Sequence, residues 1–189
     1  MSSVKQRMIE RTAVLLAKKG LQGASFSQVL EESGAPRGSL YHHFPGGKDE
    51  LVLAAIDAAA RYALSAIEQQ AGKPAPIVAE AFIDLWRQAL TRSDFSAGCA
   101  IAAVTVAAET PALRDRVREI FRQWRVRLGE LLELGGVPKG KGSALAAALI
   151  SSCEGAVIMS RGERSLDVFE TVADQQLSAI KQAVTARRK

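Results

Sequence analysis

The chain of 189 residues is poor in the side chains that build disulfide frameworks and metal centres. Its two cysteines, Cys99 and Cys153, lie far apart and form neither a CxxC pair nor a zinc-ligand spacing. Buried, reduced thiols in a cytosolic protein are the expectation. The only two histidines, His42 and His43, are adjacent. Neighbouring positions on a helix point in different directions, no third ligand lies near them, and no nucleophile–base spacing stands out elsewhere. Metal sites, cofactors and catalysis are therefore not expected, and the chain does not read as an enzyme. It lacks any uncharged apolar stretch of about 18 residues; the run from Ser143 to Cys153 is too short, so no membrane span is expected. The opening MSSVKQRMIERT is charged and helical in pattern, which excludes a signal peptide and points to a bacterial-type cytoplasm. No segment reads as a strand, and no internal repeat is present.

What remains is a helical chain. Hydrophobic residues make up 48% and the mean hydropathy is +0.03, which fits a soluble globular fold with a real core. The 25 basic and 20 acidic side chains leave a net charge of +5 and a pI near 9.5, a bias compatible with nucleic acid without requiring it. Apolar periodicity, caps and Gly/Pro breaks give an all-α fold of about nine helices. The first spans Lys5 to Lys19, with Ile9, Thr12, Ala13, Leu16 and Ala17 on one face and Gly20 at its end. A long helix covers 48–70. Gly72-Lys73-Pro74-Ala75-Pro76 is the clearest linker. The almost wholly apolar segment Cys99 to Glu109 should be buried on most sides. A helix from Thr110 to Leu134 follows, then Ser143 to Ser160 ending at Gly162, then Leu166 to Arg187. The basic tail Arg187-Arg188-Lys189 suits a helix C-terminus.

The most informative stretch is Ser25 to Phe44. Ser25 followed by Gln28 is a capping-box pattern. Gly34 permits a left-handed turn, and Pro36 suits the first turn of a new helix because its missing N–H costs nothing there. That second short helix, from about Pro36 to Phe44, has Leu40 and Phe44 four apart as its docking stripe. Its other side chains, Arg37, Ser39, Tyr41, His42 and His43, are rich in donors and include no carboxylate. Such a surface is expected to meet a polyanion, and the expectation is a DNA-recognition helix. Lys48 is a cation at the start of the next helix, the wrong sign for the dipole, and wants an anion from outside.

The run SFSQVLEESGAPRGSLYHHFPGGKDEL resembles the TetR (tetracycline-repressor-like) transcription regulators. The matching positions are Ser25, Gly34, Gly38-Ser39-Leu40-Tyr41-His42-His43-Phe44, Lys48 and Leu51. Most members place two residues between that Phe and the Lys; here Pro45, Gly46 and Gly47 make three. The GGK form, with Gly98-Cys99-Ala100-Ile101-Ala102-Ala103-Val104, is similar to the multidrug- and flavonoid-responsive subgroup.

The resemblance implies an N-terminal three-helix helix-turn-helix domain over 1–50, a ligand-binding and dimerisation domain over 51–189, and helix 48–70 connecting them. Near the start of the recognition helix, Arg37 is placed for a guanine edge or a phosphate, Gly38 for close backbone approach, and Ser39 for base or phosphate. Tyr41, His42 and Lys48 look like phosphate contacts, with His42 also within reach of a base. His43 is structural or DNA-facing, and Ser27 is a phosphate donor. The partners implied are double-stranded DNA with a palindromic operator, a second copy of the chain held through the last two helices, and a small hydrophobic or aromatic effector. The small residues Ser143-Ala144, Ala146-Ala147-Ala148 and Gly155-Ala156 allow close helix approach, in a dimer or within the chain. Pocket candidates are Phe82, Trp86, Phe95, Cys99, Val104, Phe121, Trp124, Arg125, Cys153 and Met159, each of which also fits ordinary core. The expected function is a dimeric repressor released by ligand; the alternative is a helical small-molecule-binding module without operator binding.

Overall fold

The computed structural model describes residues 3–186 and shows, among them, nine α-helices and no strand. These are α1 (Val4–Gly23), α2 (Phe26–Ser33), α3 (Ser39–His43), α4 (Lys48–Glu68), α5 (Ala75–Arg92), α6 (Ala100–Ala107), α7 (Pro111–Leu134), α8 (Gly142–Glu163) and α9 (Asp167–Ala186). The tail Arg187-Arg188-Lys189 lies outside the described residues. The helices gather into two compact units that are not consecutive in the chain. One takes the chain up to Tyr62 together with Cys99–Ile120; the other takes Ala63–Gly98 and the chain from Phe121 on. This grouping by packing differs from a division at residue 50, because α6 and the first part of α7 join the N-terminal helices.

In the first unit, Met8, Leu15, Leu16, Val29, Leu40, Phe44, Leu51, Val52 and Ile56 are buried to within about 1% exposure. The buried face of α1 is Met8, Thr12, Leu15 and Leu16, while Ile9, Ala13 and Ala17 are only half-buried. The face is rotated from the expected one because α1 packs against both α2 and α6. Packing against two neighbours, and not the helix's own period, chooses which side turns inward. Gly20 breaks the helix as expected, with φ 70° and ψ −175° inside the span.

Helix α6 corrects the expectation of burial on most sides. Ala100, Ile101 and Val104 are buried, but Val106 is 86% exposed. The segment is apolar all round, yet α1 covers only one face of it. Helices α4 and α7 are tied by polar contacts within this unit: Thr110 Oγ1 donates to Asp49 Oδ2 at 2.7 Å, and Arg116 Nε to Asp57 Oδ1 at 2.5 Å. The order of the partners makes the two helices run in the same direction.

In the second unit α8 packs against α9 and α5, and α5 against α9. Arg87 on α5 forks onto Glu170 of α9 through Nε and Nη2, at 2.7 and 2.8 Å, and also bonds Glu80 and Asp84. Arg127 bonds Glu68 in the same two-pronged way. The crossing of α7 and α8 needs glycine: a Cβ on Gly142 would stand 2.3 Å from the backbone oxygen of Gly129. Helix α8 runs past Gly162 and stops at Arg164, whose left-handed conformation (φ 53°) ends it. At 22 residues, with a window of mean hydropathy 1.5, α8 is long and apolar enough to cross a membrane. Glu154 and Arg161 interrupt it, which is why no uncharged run stands out in the sequence. Its buried residues, among them Ala146, Leu149, Cys153 and Val157, face the core of this unit, and the core helix of a globular protein passes the same test.

Candidate nucleic-acid interface

The interface is built from α2 and α3 and the turn between them. Ser25 caps α2, accepting from the Gln28 amide at 3.4 Å. Gly34 ends α2 in the left-handed region (φ 64°, ψ 22°), returning its N–H to the Leu30 carbonyl. A side chain with a Cβ would resist that conformation. Arg7 of α1 reaches the same corner and donates Nε to the Ser33 carbonyl at 3.3 Å.

The second helix is shorter than expected. It starts at Ser39 and not near Pro36, because Pro36 to Ser39 form a tight turn: both the Ser39 amide and its hydroxyl donate to the Pro36 carbonyl, at 2.9 and 2.7 Å. Arg37 and Gly38 therefore sit on an exposed turn at the mouth of the helix. Leu40 and Phe44, 1% and 0% exposed, dock the helix as the spacing predicts. Tyr41 is 67% exposed, His42 is exposed, and His43 is half-buried with its ring edge-on to His42. Ser27 is exposed at the start of α2 and shares a hydrogen bond with Ser25.

Two relationships here were not visible in the sequence. Phe26, the first residue of α2, meets the Tyr41 ring edge-on, with centroids 5.9 Å apart and planes at 81°. Lys48 donates Nζ to the Leu21 carbonyl at 2.9 Å. Nothing in the local pattern pairs residues so far apart in the chain.

The pocket candidates divide between the units. Cys99 and Val104 belong to the first and are buried. In the second, Phe82, Trp86 and Trp124 form a trio with centroids 6.2 to 6.5 Å apart, and Phe121 meets Trp124 edge-on at 5.8 Å. The indole N–H of Trp86 is buried without a hydrogen bond, an unpaired donor that ordinarily costs about 1–3 kcal/mol. Cys153 is 1% exposed, and burial pushes its thiol up to about 12. Phe95 is half-buried in a left-handed conformation. Arg125 and Met159 face solvent instead, Arg125 donating to Ser143. A surface cleft of 610 Å³, lined by Arg127, Glu130, Glu133, Leu134, Val137, Pro138 and Lys139, includes none of the candidates.

Comparison with known proteins agrees with this arrangement. Residues 8–55 match the family model described as bacterial regulatory proteins, tetR family, and residues 76–175 match that of the LmrA/YxaF-like transcriptional regulator C-terminal domain. An uncharacterised HTH-type transcriptional regulator of Mycobacterium tuberculosis is 34% identical over 182 residues, covering 93% of both chains. The regulator LmrA of Bacillus subtilis is 24% identical over 160 residues, covering 82% of this chain and 85% of its own. Among solved structures, a TetR transcriptional regulator from Chloroflexus aurantiacus superposes with a TM-score of 0.78 at 27% identity, over 95% of this chain and 94% of that one. One from Legionella pneumophila gives 0.84 at 20% identity, over 95% and 98%, a likeness of fold.

Proposed function

This chain belongs to the TetR family of bacterial regulatory proteins, and from that membership we propose that it is a homodimeric cytoplasmic repressor, bound to a palindromic operator and released by a small hydrophobic or aromatic effector. The family supplies the coarse function, DNA-binding transcriptional regulation. The relatives it matches are named as HTH-type transcriptional regulators.

One observation carries the reading of the DNA face. From Arg37 to His43 the outward side chains are donors without a carboxylate among them, while Leu40 and Phe44 are wholly committed to the core. Arg37 reads a guanine edge at the mouth of the helix. Gly38 lets the backbone approach. Ser39, whose hydroxyl proton is spent on Pro36, accepts rather than donates. Tyr41, His42 and Ser27 contact phosphates, and His43 supports His42.

A single helix of this kind reads few base pairs, so the reading requires two copies with recognition helices about 34 Å or a multiple apart. The outward face of α8 supports self-association. Ala144, Ala148, Ser151, Gly155, Ile158 and Gly162 are all exposed along one side, and a Cβ on Gly155 or Gly162 would meet nothing. The aromatic group around Trp124, with the unpaired Trp86 donor, supports an effector that is apolar and carries a hydrogen-bond acceptor. Effector binding shifts the population toward a half-site separation that misfits the operator, with α4 as the lever.

A gel shift and footprint on the intergenic DNA beside its own gene test the reading. Salt-sensitive protection of a two-fold symmetric site is expected. Absence of sequence-specific binding there would favour a small-molecule-binding module without an operator.

A further inference from the structure

A cation on the first residue of a helix opposes that helix's dipole, yet Lys48 opens α4. The anion that the sequence seeks outside has a counterpart inside the chain. Leu21 lies just past the kink at Gly20 (φ 70°, ψ −175°) that interrupts α1. Its oxygen accepts Lys48 Nζ at 2.9 Å, and Lys48 is half-buried.

The neighbouring side chains are committed in the same manner. Asp49 accepts from Thr110 at the start of α7, at 2.7 Å. Glu50 accepts from the Gly46 amide at 2.8 Å, closing the Pro45-Gly46-Gly47 turn, where Gly47 adopts φ 77°. Every charged side chain in the first turn of α4 is thus spent on a partner within its own unit. Lys48 reaches back to α1, Asp49 holds α7, and Glu50 braces the turn that leads out of the recognition helix.

We propose that Lys48 is a positioning residue, a strut that sets the angle between α4 and the α1–α2 corner and so presents the recognition helix, and that it does not neutralise a DNA phosphate. The inference rests on the DNA-binding reading above. The Gly20 kink and the turn at Gly47 bring the lysine within reach of the Leu21 carbonyl.

Salt dependence separates the two roles, because the slope of log K against log salt falls by about 0.9 for every phosphate that a side chain ceases to neutralise. The test uses the full chain, the intergenic fragment, and the variants Lys48→Met and Lys48→Arg. A strut predicts that Lys48→Met binds roughly tenfold more weakly with the wild-type slope, as expected for removal of one charge-assisted hydrogen bond, and that Lys48→Arg restores affinity. In the DNA-free protein, amide exchange over 21–25 and 47–52 should then quicken severalfold in Lys48→Met and not in Lys48→Arg. A slope reduced by about 0.9 in Lys48→Met, or unchanged affinity together with unchanged exchange, overturns the proposal. If the wild-type chain fails to bind the fragment, the repressor reading fails, and the exchange comparison still decides whether the lysine holds this corner.

Discussion

Arg164 donates Nη2 to Asp94 Oδ2 at 2.6 Å, and both residues hold left-handed backbone conformations, φ 53° and 49°. Phe95, next in the chain, does so as well at 59°. The pair joins the loop after α5 to the end of α8, and Arg161 adds a second bond from α8 to the Ser96 carbonyl at 3.1 Å. The ion pair is solvent-exposed, so it stabilises by less than about 1 kcal/mol. Relief of left-handed strain by glycine at a helix C-cap is of the same size or larger, about 1 kcal/mol. Arg164→Gly should therefore unfold in urea at or slightly above the wild-type midpoint, and Arg164→Val clearly below it. A large loss in Arg164→Gly would show that the ion pair outweighs the strain.

Arg37 and Tyr41 should fail in different ways. Arg37→Ala is expected to lose about 1–3 kcal/mol on the operator and to relax the preference at one base pair of each half-site. Tyr41→Phe should weaken all duplexes alike. Competition binding against operator variants reads both effects. Unchanged operator affinity in both variants would mean that the recognition helix is misplaced.

The Arg87–Glu170 fork predicts an acid dependence. The hydrogen bond from Arg87 holds the Glu170 carboxyl below its ordinary 4.5, against burial, which raises it, and with Arg87's charge also lowering it. A carboxylate depressed in the folded state contributes stability above its unfolded value and loses it as pH falls through the folded one. Glu68, held down by Arg127, has the same sign. Glu170→Gln should thus lose less stability than wild type between pH 6 and pH 3, these being about 1.5 units either side of an ordinary carboxylate. Urea midpoints across that range are the measurement.

Cys153 should be inert in the folded protein. Its thiol is 1% exposed and pushed up to about 12, chiefly by burial, with the Glu154 charge adding to the rise. Ellman's reagent at mildly alkaline pH should label it only after denaturant is added. Labelling on mixing would place the thiol at the surface.

Self-association through α8 is tested by Ile158→Glu. Ile158 is 67% exposed in the protomer, so the change should cost the protomer less than about 0.5 kcal/mol. In a dimer held by this face it buries a charge and should give a monomer by ultracentrifugation, with operator affinity reduced. A dimer of unchanged strength would move the interface elsewhere.

The helix-turn-helix was legible because its signals are local. Ser25 caps, Gly34 turns and the four-residue spacing of Leu40 and Phe44 docks, each through neighbours within a few positions. The start of α3 moves from Pro36 to Ser39 for a similar reason: proline tolerates a helical first turn, but a hydroxyl at Ser39 closes a tighter one. Of the pocket candidates, the aromatic side chains Phe82, Trp86, Phe121 and Trp124 come together, whereas Arg125 and Met159 turn outward, because apolar character marks burial and says nothing of which helix face meets which neighbour.

Composition and periodicity were enough to specify an all-α chain, its helix order and a donor-rich recognition helix, since these depend on interactions spanning one or two turns. A partner for Lys48 comes from elsewhere in the chain. Its sequence position demands a negative partner, and a phosphate and a backbone carbonyl satisfy that demand equally on paper. The Leu21 carbonyl is brought within 2.9 Å of it by the kink at Gly20 and the turn at Gly47. Charge pattern states that a partner is needed; only the packing of distant segments says which one is near.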